Sequence, residues 1–440
     1  MKRPQVKVFL YALMDAMGMG SGFRKFTVPG MFSAYALALN LYAPAANAQA
    51  FNYEAPRASS VLRNNGATKS QIYDEDRPIG LYGSLSVSIS KQQNVLRTDN
   101  NSGSDTVLSV SPLLWYQKEI GRHGVVIRYR GDYLRYADLS NENALDHNLQ
   151  GDALFDLSEK FQARVGAGYT LGHEVRGQLG TVINTLAKPN RFRETSVEGG
   201  LTYGRRENTI QLVGTVGVSK LKYTNNNGGG GRGDIDTKHI GGTVFYNIGT
   251  RTSLLAEVGI NDIAYANNSA GFDLDSKETY AGIGARWDAT ELTQGDVRIY
   301  KTKKNLDDPS RNDFSGTTYS GGINWAPRDY SRFRFHVAHS IEESIDSTSS
   351  FVIGDEYGLR WNHTLNSAWS VNAFAIKGTD EYSSGRKDQL TDFGLGANYG
   401  AFSWGAIGLQ YTQASRTSNT AKNEFDDEII SLIFTSSFGA

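Results

Sequence analysis

The sequence predicts an all-β fold: a transmembrane, antiparallel, up-and-down β-barrel of about 18 strands. Three observations lead to this prediction. From residue 80 onward, apolar and polar residues alternate over segments of about 10–15 residues. The connections between these segments alternate between short turns and long polar loops, and aromatic residues gather near the segment ends on the apolar face. Hydrophobic residues make up only 39% of the 440 residues, which is too few for a bundle of membrane-spanning helices.

Residues 1–48 are predicted to form a secretory signal peptide. Arg24 and Lys25 precede an apolar run at residues 31–43, and small residues follow at 44–50. A charged region, a short apolar region and an A-x-A cleavage site are typical of export signals. The apolar run is shorter than the roughly 20 residues that a membrane-spanning helix needs. The mature chain is therefore expected to lie outside the cytoplasm.

Residues 49–79 are predicted to be a flexible periplasmic tail, and residues 80–440 the barrel. The first strand shows the pattern clearly, since residues 81–90 place apolar residues or glycine at odd positions and serine or tyrosine at even positions. Successive side chains of a strand point to opposite faces, so this segment has one apolar and one hydroxyl-bearing face. Eighteen such segments are predicted. Their length suits tilted membrane-spanning strands, which need about nine to eleven residues, better than the shorter strands of soluble sandwiches.

Eight short turns interleave with nine long polar loops. Short turns include residues 121–123 and 249–251, and long loops include residues 172–191 and 223–236. Outer-membrane barrels have short periplasmic turns, long extracellular loops and an even number of strands. The sequence therefore predicts an integral outer-membrane protein of a Gram-negative bacterium.

The polar face of the predicted strands carries charges at mid-strand, which a water-filled lumen solvates and a dry core does not. The predicted lumen-lining residues are Arg128, Arg130, Asp132, Asp152, Arg164, Glu198, Glu257, Arg286, Asp296, Arg298, Arg334, Arg360 and Asp392. Five aromatic residues predicted to point inward are candidates for stacking on sugar rings. They are Tyr82, Trp115, Phe245, Tyr280 and Trp404.

The longest loop, residues 172–191, contains the apolar residues Val182, Ile183 and Leu186. Apolar residues in an external loop favour an inward fold that constricts the pore. A lid that packs on neighbouring loops is the alternative.

No pattern in the sequence indicates a cofactor, a metal or catalysis, so a non-enzymatic protein is predicted. Alternate glycines such as Gly282 and Gly284 precede no helix, and a phosphate-binding loop needs one. The seven histidines are scattered; His336 and His339 are an odd number of residues apart and face opposite ways on a strand. Cysteine is absent, and a net charge of -1 gives no reason to expect nucleic-acid binding.

The most specific pattern lies in residues 94–123. It reads Asn94-Val95-Leu96-Arg97-Thr98, then Asp105-Thr106, Ser109-Val110-Ser111-Pro112 and Arg122-His123. This pattern resembles the opening of the family called putative β-barrel porin 2. Members of that family look like 18-stranded outer-membrane proteins, and many are encoded beside exopolysaccharide synthesis and export systems.

The resemblance implies a passive conduit for export of exopolysaccharide across the outer membrane. The expected partners are outer-membrane lipid and lipopolysaccharide, a polysaccharide cargo, and periplasmic export components that contact residues 51–79. Two alternatives stay open: a nutrient-uptake porin for small solutes, and a structural or adhesive surface barrel closed by its loops.

Overall fold

The computed structural model describes residues 79–99, 103–177, 188–225, 234–266, 273–290, 292–344, 348–420 and 423–439. The signal peptide and most of the tail predicted from the sequence lie outside the described residues, as do Val182, Ile183 and Leu186. Among the described residues, no helix has the length and hydropathy of a membrane span.

The described residues form eighteen β-strands and a short 3-10 turn at Ser140–Glu142, which confirms the predicted number of strands. The strands are β1 (Gly80–Gln92), β2 (Asp105–Ile120), β3 (His123–Tyr136), β4 (Ala144–Asp156), β5 (Phe161–His173), β6 (Arg191–Tyr203), β7 (Ile210–Tyr223), β8 (Ile235–Ile248), β9 (Thr252–Tyr265), β10 (Ser276–Thr290), β11 (Thr293–Leu306), β12 (Phe314–Arg328), β13 (Ser331–Glu343), β14 (Phe351–Thr364), β15 (Trp369–Tyr382), β16 (Lys387–Phe402), β17 (Gly405–Ser418) and β18 (Phe425–Gly439).

Each strand pairs antiparallel with the next one, and β1 pairs with β18, so the sheet closes into a barrel. At the closing seam, the inward hydroxyl groups bond to each other: Ser90 Oγ lies 2.8 Å from Ser431 Oγ. Closure leaves every strand with a hydrogen-bonded neighbour on both sides. Backbone N–H and C=O groups find no water in the hydrocarbon of a membrane, so they must bond to each other, and a closed sheet allows this for every strand.

The distribution of apolar and polar residues over the two faces of the sheet is the reverse of that in a soluble protein. Outward residues near mid-strand are apolar and exposed; Ile283 is 66% exposed, Val258 59% and Leu395 58%. Inward residues are largely polar and buried, and Glu257 and Thr302 are 1% and 0% exposed. Such an apolar outer band is stable only when hydrocarbon covers it, because water would meet a continuous apolar surface.

The two ends of the barrel also differ. One end, which we call the turn rim, holds the short connections together with the start of β1 and the end of β18. The other end, the loop rim, holds the connections after the odd-numbered strands, most of which are longer. The interleaving of short and long connections follows the predicted pattern.

Candidate functional site

The strand register puts all thirteen charged residues predicted for the lumen at inward positions of the barrel. Many of these charged residues pair with a neighbour of opposite charge. Several belong to ion-pair chains that run along the inner wall, and the sequence did not predict these pairings. A third arrangement of charged residues lies at the loop rim.

The first ion-pair chain crosses four neighbouring strands, β3 to β6. Arg128 Nη2 lies 2.7 Å from Asp152 Oδ2, and Arg164 Nη2 lies 2.6 Å from Asp152 Oδ1. Arg164 Nη1 then reaches Glu198 Oε1 at 2.8 Å. The charges alternate in sign along the wall, so each partly buried group has a partner of opposite charge.

The second chain spans β9 and β11 across the intervening strand. Arg298 Nη1 and the Tyr300 hydroxyl approach Glu257 Oε2 at 3.3 Å and 3.2 Å. Tyr300 passes over Gly282, where a Cβ atom would lie 2.3 Å from its ring, and Arg298 lies against Gly284, where a Cβ atom would lie 3.1 Å from Arg298 Cγ. These two glycines therefore give room for two side chains to cross a strand, which is a packing role.

One of the five sugar-stacking candidates, Trp404, is placed differently from the prediction, and Phe245 lies inward as predicted but is covered. Phe245 is fully buried, and the guanidinium of Arg286 covers its ring at 3.8 Å from the ring centre. Trp404 lies in the turn between β16 and β17, where its ring stacks on Phe402 at 5.0 Å and meets Phe434 of the outward face edge-on. For Trp404 the predicted inward position was wrong. The β16–β17 pairing shifts register just before this turn, so counting by twos fails there.

Tyr82, Trp115 and Tyr280 lie on the inward face, as Phe245 does. Tyr82 and Trp115 are opposite each other in the β1–β2 register, and the guanidinium of Arg128 lies 5.1 Å from the Trp115 ring. Tyr280 is buried and meets Tyr300 edge-to-face at 5.4 Å between ring centres. The inner wall therefore presents aromatic rings combined with charged groups.

The loop that follows β5 turns into the barrel at the loop rim. Its first residues, 174–177, which we call the pinned segment, contact strands on the far side of the ring. Arg416 Nη2 of β17 donates a hydrogen bond to the carbonyl oxygen of Gly177, and Arg97 Nη1 donates one to the carbonyl oxygen of Arg176 at 3.0 Å. Going round the ring, β18 is five strands from β5 and β17 is six. Residues 174–177 therefore reach from the end of β5 into the mouth of the barrel. The apolar residues from which the constriction was predicted lie outside the described residues, so that hypothesis stays a prediction.

Buried ion pairs hold the pinned segment in place. The Arg176 guanidinium donates two hydrogen bonds, of 2.8 Å and 2.7 Å, to the carboxylate of Glu142 in the 3-10 turn after β3. Arg97 Nε lies 3.2 Å from Asp427 Oδ2, and both side chains are buried. A bidentate arginine–carboxylate pair fixes orientation as well as distance. Removal of one partner would leave a buried charge without compensation.

Backbone geometry fits the same arrangement. Gly177 has φ +77°, and a Cβ atom there would lie 2.5 Å from Arg97 Cδ and 2.7 Å from the ring of Phe425. Arg97 itself has φ +50°, which is uncommon for a residue other than glycine. Both residues adopt conformations that the surrounding contacts must maintain.

Glu174 begins the pinned segment outside the strands. Its carboxylate accepts hydrogen bonds from the Tyr223 hydroxyl and, at 2.8 Å, from Asn190 Nδ2. Burial raises the pKa of the Glu174 carboxyl above its ordinary value, and these two hydrogen bonds oppose that rise. The contacts connect the pinned segment to β7 and to the residue just before β6.

Glu142, Arg176, Arg416 and Asp427 did not emerge as site residues from the sequence. For Arg416 and Asp427 the signal existed, because both occupy inward positions of alternating strands. Glu142 and Arg176 lie in connections between strands, where the alternation of inward and outward residues does not apply.

A closed barrel with an apolar outer band and a charged inner wall is a porin-like outer-membrane channel. Residues 80–438 match the family described as putative β-barrel porin 2, and the chain belongs to that family. It is an integral outer-membrane protein of Gram-negative bacteria, so the loop rim is extracellular and the turn rim periplasmic.

Solved structures of other outer-membrane proteins are similar to this chain at low identity. One is OpdK of Pseudomonas aeruginosa with vanillate, 12% identical over 81% of this chain and 99% of that one, with a TM-score of 0.45. Another is OccK2 (OpdF) of the same organism in complex with glucuronate, 9% identical over 81% of this chain and 98% of that one, also at 0.45. None of the curated proteins compared with the chain matches it.

Proposed function

We propose that the protein is a passive outer-membrane porin for small hydrophilic solutes, with its narrowest point at the extracellular mouth. The observation that carries this proposal is the pinned segment, residues 174–177, held in the mouth by Arg97, Arg176 and Arg416. A second support is the polar inner wall, where fixed carboxylates and guanidinium groups replace the hydration of a passing solute.

The dimensions favour a small solute. Eighteen strands spaced about 4.8 Å apart and tilted near 40° close to a backbone diameter of roughly 35 Å. Inward side chains reduce the open width to about 20–25 Å on the same arithmetic. The pinned segment reaches into this opening and narrows it, and its anchoring through buried ion pairs opposes displacement by a diffusing molecule.

Export of exopolysaccharide rests on the family resemblance and stays a prediction. A polymer in transit needs a passage that stays open along its whole length, and the pinned segment would have to leave the mouth while the polymer passes. The two hypotheses therefore differ in what passes through the resting protein: small solutes for a porin, and long polymers for an export conduit.

Solute permeability tests the proposal. The purified protein is reconstituted in liposomes, and swelling rates are measured for sugars from a pentose to a trisaccharide and for long dextrans. Rates should fall steeply with solute size, and dextrans should be excluded. Planar-bilayer recordings should show channels that are open without a trigger.

Absence of both conductance and swelling would contradict the proposal and favour a structural or adhesive barrel. Dextran entry at rates near those of disaccharides would favour a polymer conduit. A gene-deletion strain that loses surface polysaccharide, with no other envelope defect, would also favour export.

A further inference from the structure

Lysines concentrate near the loop rim on the outward face of four strands, β7, β8, β10 and β11, which lie within a run of five neighbouring strands. Each lies within six residues of the loop-rim end of its strand, and each is exposed. We call this set the lysine face: Lys220, Lys222, Lys238, Lys277, Lys301 and Lys303.

These lysines point away from the lumen. Lys220 follows Val218 by two positions, Lys238 precedes Ile240 by two, and Lys301 follows Ile299 by two. Those apolar neighbours belong to the exposed outer band. Side chains two residues apart in a strand share a face, so the lysine face stands directly above the apolar band on the extracellular side.

The acidic residues on the same face of these strands do not neutralise the lysine face. On the outward positions of these strand ends, the acidic residues are Asp236, which pairs with Lys220 at 2.9 Å, and Asp262, which lies opposite Lys238 and Lys277 in the register. Six lysines less two aspartates leave four positive charges in excess.

Apart from Arg191 and Arg193 of the adjoining strand β6, which continue the positive surface, the rest of the circumference does not carry the same charge. At corresponding outward positions, β12 and β17 present Ser315, Thr317 and Gln413, and β18 presents Asp426 and Glu428. The basic residues on that side are spread over separate strands: Lys91, Arg135, Lys377 and Lys387. Lys387 is paired with Glu381 at 2.6 Å. The positive surface is therefore one-sided, which a general solubility role does not explain.

The depth of the lysine face identifies the ligand class. Lysine side chains next to an apolar band extend their stems along it and place the ammonium group at the lipid head groups. Ammonium groups bind phosphate as point charges. On the extracellular side of an outer membrane, the phosphorylated lipid is lipopolysaccharide. We propose that the lysine face binds the phosphorylated lipid A head group of lipopolysaccharide and thereby holds lipid against one side of the barrel.

The test compares two variants of the full-length protein with equal loss of charge. The first carries Lys238→Gln, Lys277→Gln, Lys301→Gln and Lys303→Gln. The matched control carries Lys91→Gln, Arg135→Gln, Lys377→Gln and Lys387→Gln on the other side. Binding of purified diphosphorylated lipid A is measured in detergent by native mass spectrometry, beside dephosphorylated lipid A and phosphatidylglycerol.

The first variant should bind diphosphorylated lipid A about tenfold more weakly than the unmodified protein, or weaker still, because each lysine near the surface contributes separately. The control should change little, and dephosphorylated lipid A should bind poorly to every protein. Equal loss in both variants would overturn the proposal, as would tight binding of dephosphorylated lipid A. Phosphatidylglycerol that competes on equal terms would overturn the assignment to lipid A.

Folding is controlled by a charge-retaining version of the first variant, with Lys→Arg at the same four positions. That protein should bind lipid A as the unmodified protein does and migrate on gels with the same heat-modifiable shift. Failure of a correctly folded arginine version to bind would also count against the proposal, since it keeps all four positive charges.

Discussion

Replacement Gly177→Leu is expected to open the extracellular mouth and raise single-channel conductance about twofold or more, since the narrowest section sets the flow. A leucine at this position has no room, because its Cβ would lie 2.5 Å from Arg97 Cδ. Leucine also disfavours the φ of +77° that Gly177 adopts. The pinned segment should therefore lose its contacts with Arg97 and Arg416, while the strands of the barrel keep their structure. Planar-bilayer recordings measure the change.

Gly385→Leu is the matched control. Gly385 lies in the loop after β15 with φ +91°, and a Cβ atom there would meet nothing within 4 Å. This substitution carries a similar backbone penalty without the collision. Conductance should stay close to that of the unmodified protein. An unchanged conductance in Gly177→Leu, or an equal increase in both variants, would contradict the role of the pinned segment.

Replacement Ile283→Arg should block or strongly reduce assembly into the membrane. Ile283 lies at the middle of β10 on the outward face and is the most exposed apolar residue of the described strands. An arginine facing lipid at this depth costs about 2–4 kcal/mol in a barrel. The measurement is the fraction of protein with the heat-modifiable gel shift after refolding into liposomes, across a urea series.

Ser196→Arg supplies the inward control at a similar depth. Ser196 lies near the middle of β6, between the inward carboxylates of Glu194 and Glu198. An arginine there enters a polar wall with acidic neighbours, so assembly should proceed almost normally. Equal sensitivity at Ile283 and Ser196 would mean that the two faces do not differ in environment.

The sequence predicted the number of strands because the membrane imposes one rule on every strand. Each of the eighteen segments must present apolar side chains outward, so the period of two repeats along the barrel and every segment reinforces the same interpretation. The charged residues of the inner wall followed from the same alternation. The error at Trp404 arose where the rule ends, since the register shift between Tyr399 and Phe402 breaks the count.

The pinned segment was only partly predictable. Apolar residues in the loop after β5 favoured an inward fold, but the sequence left a lid as an equal possibility. What decides the position is the contact between Gly177 and Arg416, which are 239 residues apart. No local period connects such residues, and their meeting depends on how far the loop reaches across the closed ring.

The pairing of the wall charges was likewise beyond the sequence. Asp152 bonds to both Arg128 and Arg164, which lie on the strands to either side of it. The register between neighbouring strands decides which residues lie opposite each other. The alternation of apolar and polar residues gives the face of each side chain but does not determine that register. Only the assembled barrel fixes it.

The channel function depends on lipid surrounding the barrel and water filling its lumen. Because the chain contains no cysteine, single cysteines can be introduced and labelled to measure both environments directly. Single cysteines are placed at each position from Leu212 to Ser219 of β7, spin-labelled, and exposed in liposomes to oxygen, which concentrates in lipid, and to a water-soluble nickel chelate. Oxygen access should peak at the outward positions Leu212, Gly214, Val216 and Val218, and nickel access at the inward positions Val213, Thr215, Gly217 and Ser219. A profile without this period of two, or one with the two probes exchanged, would contradict a water-filled barrel surrounded by lipid.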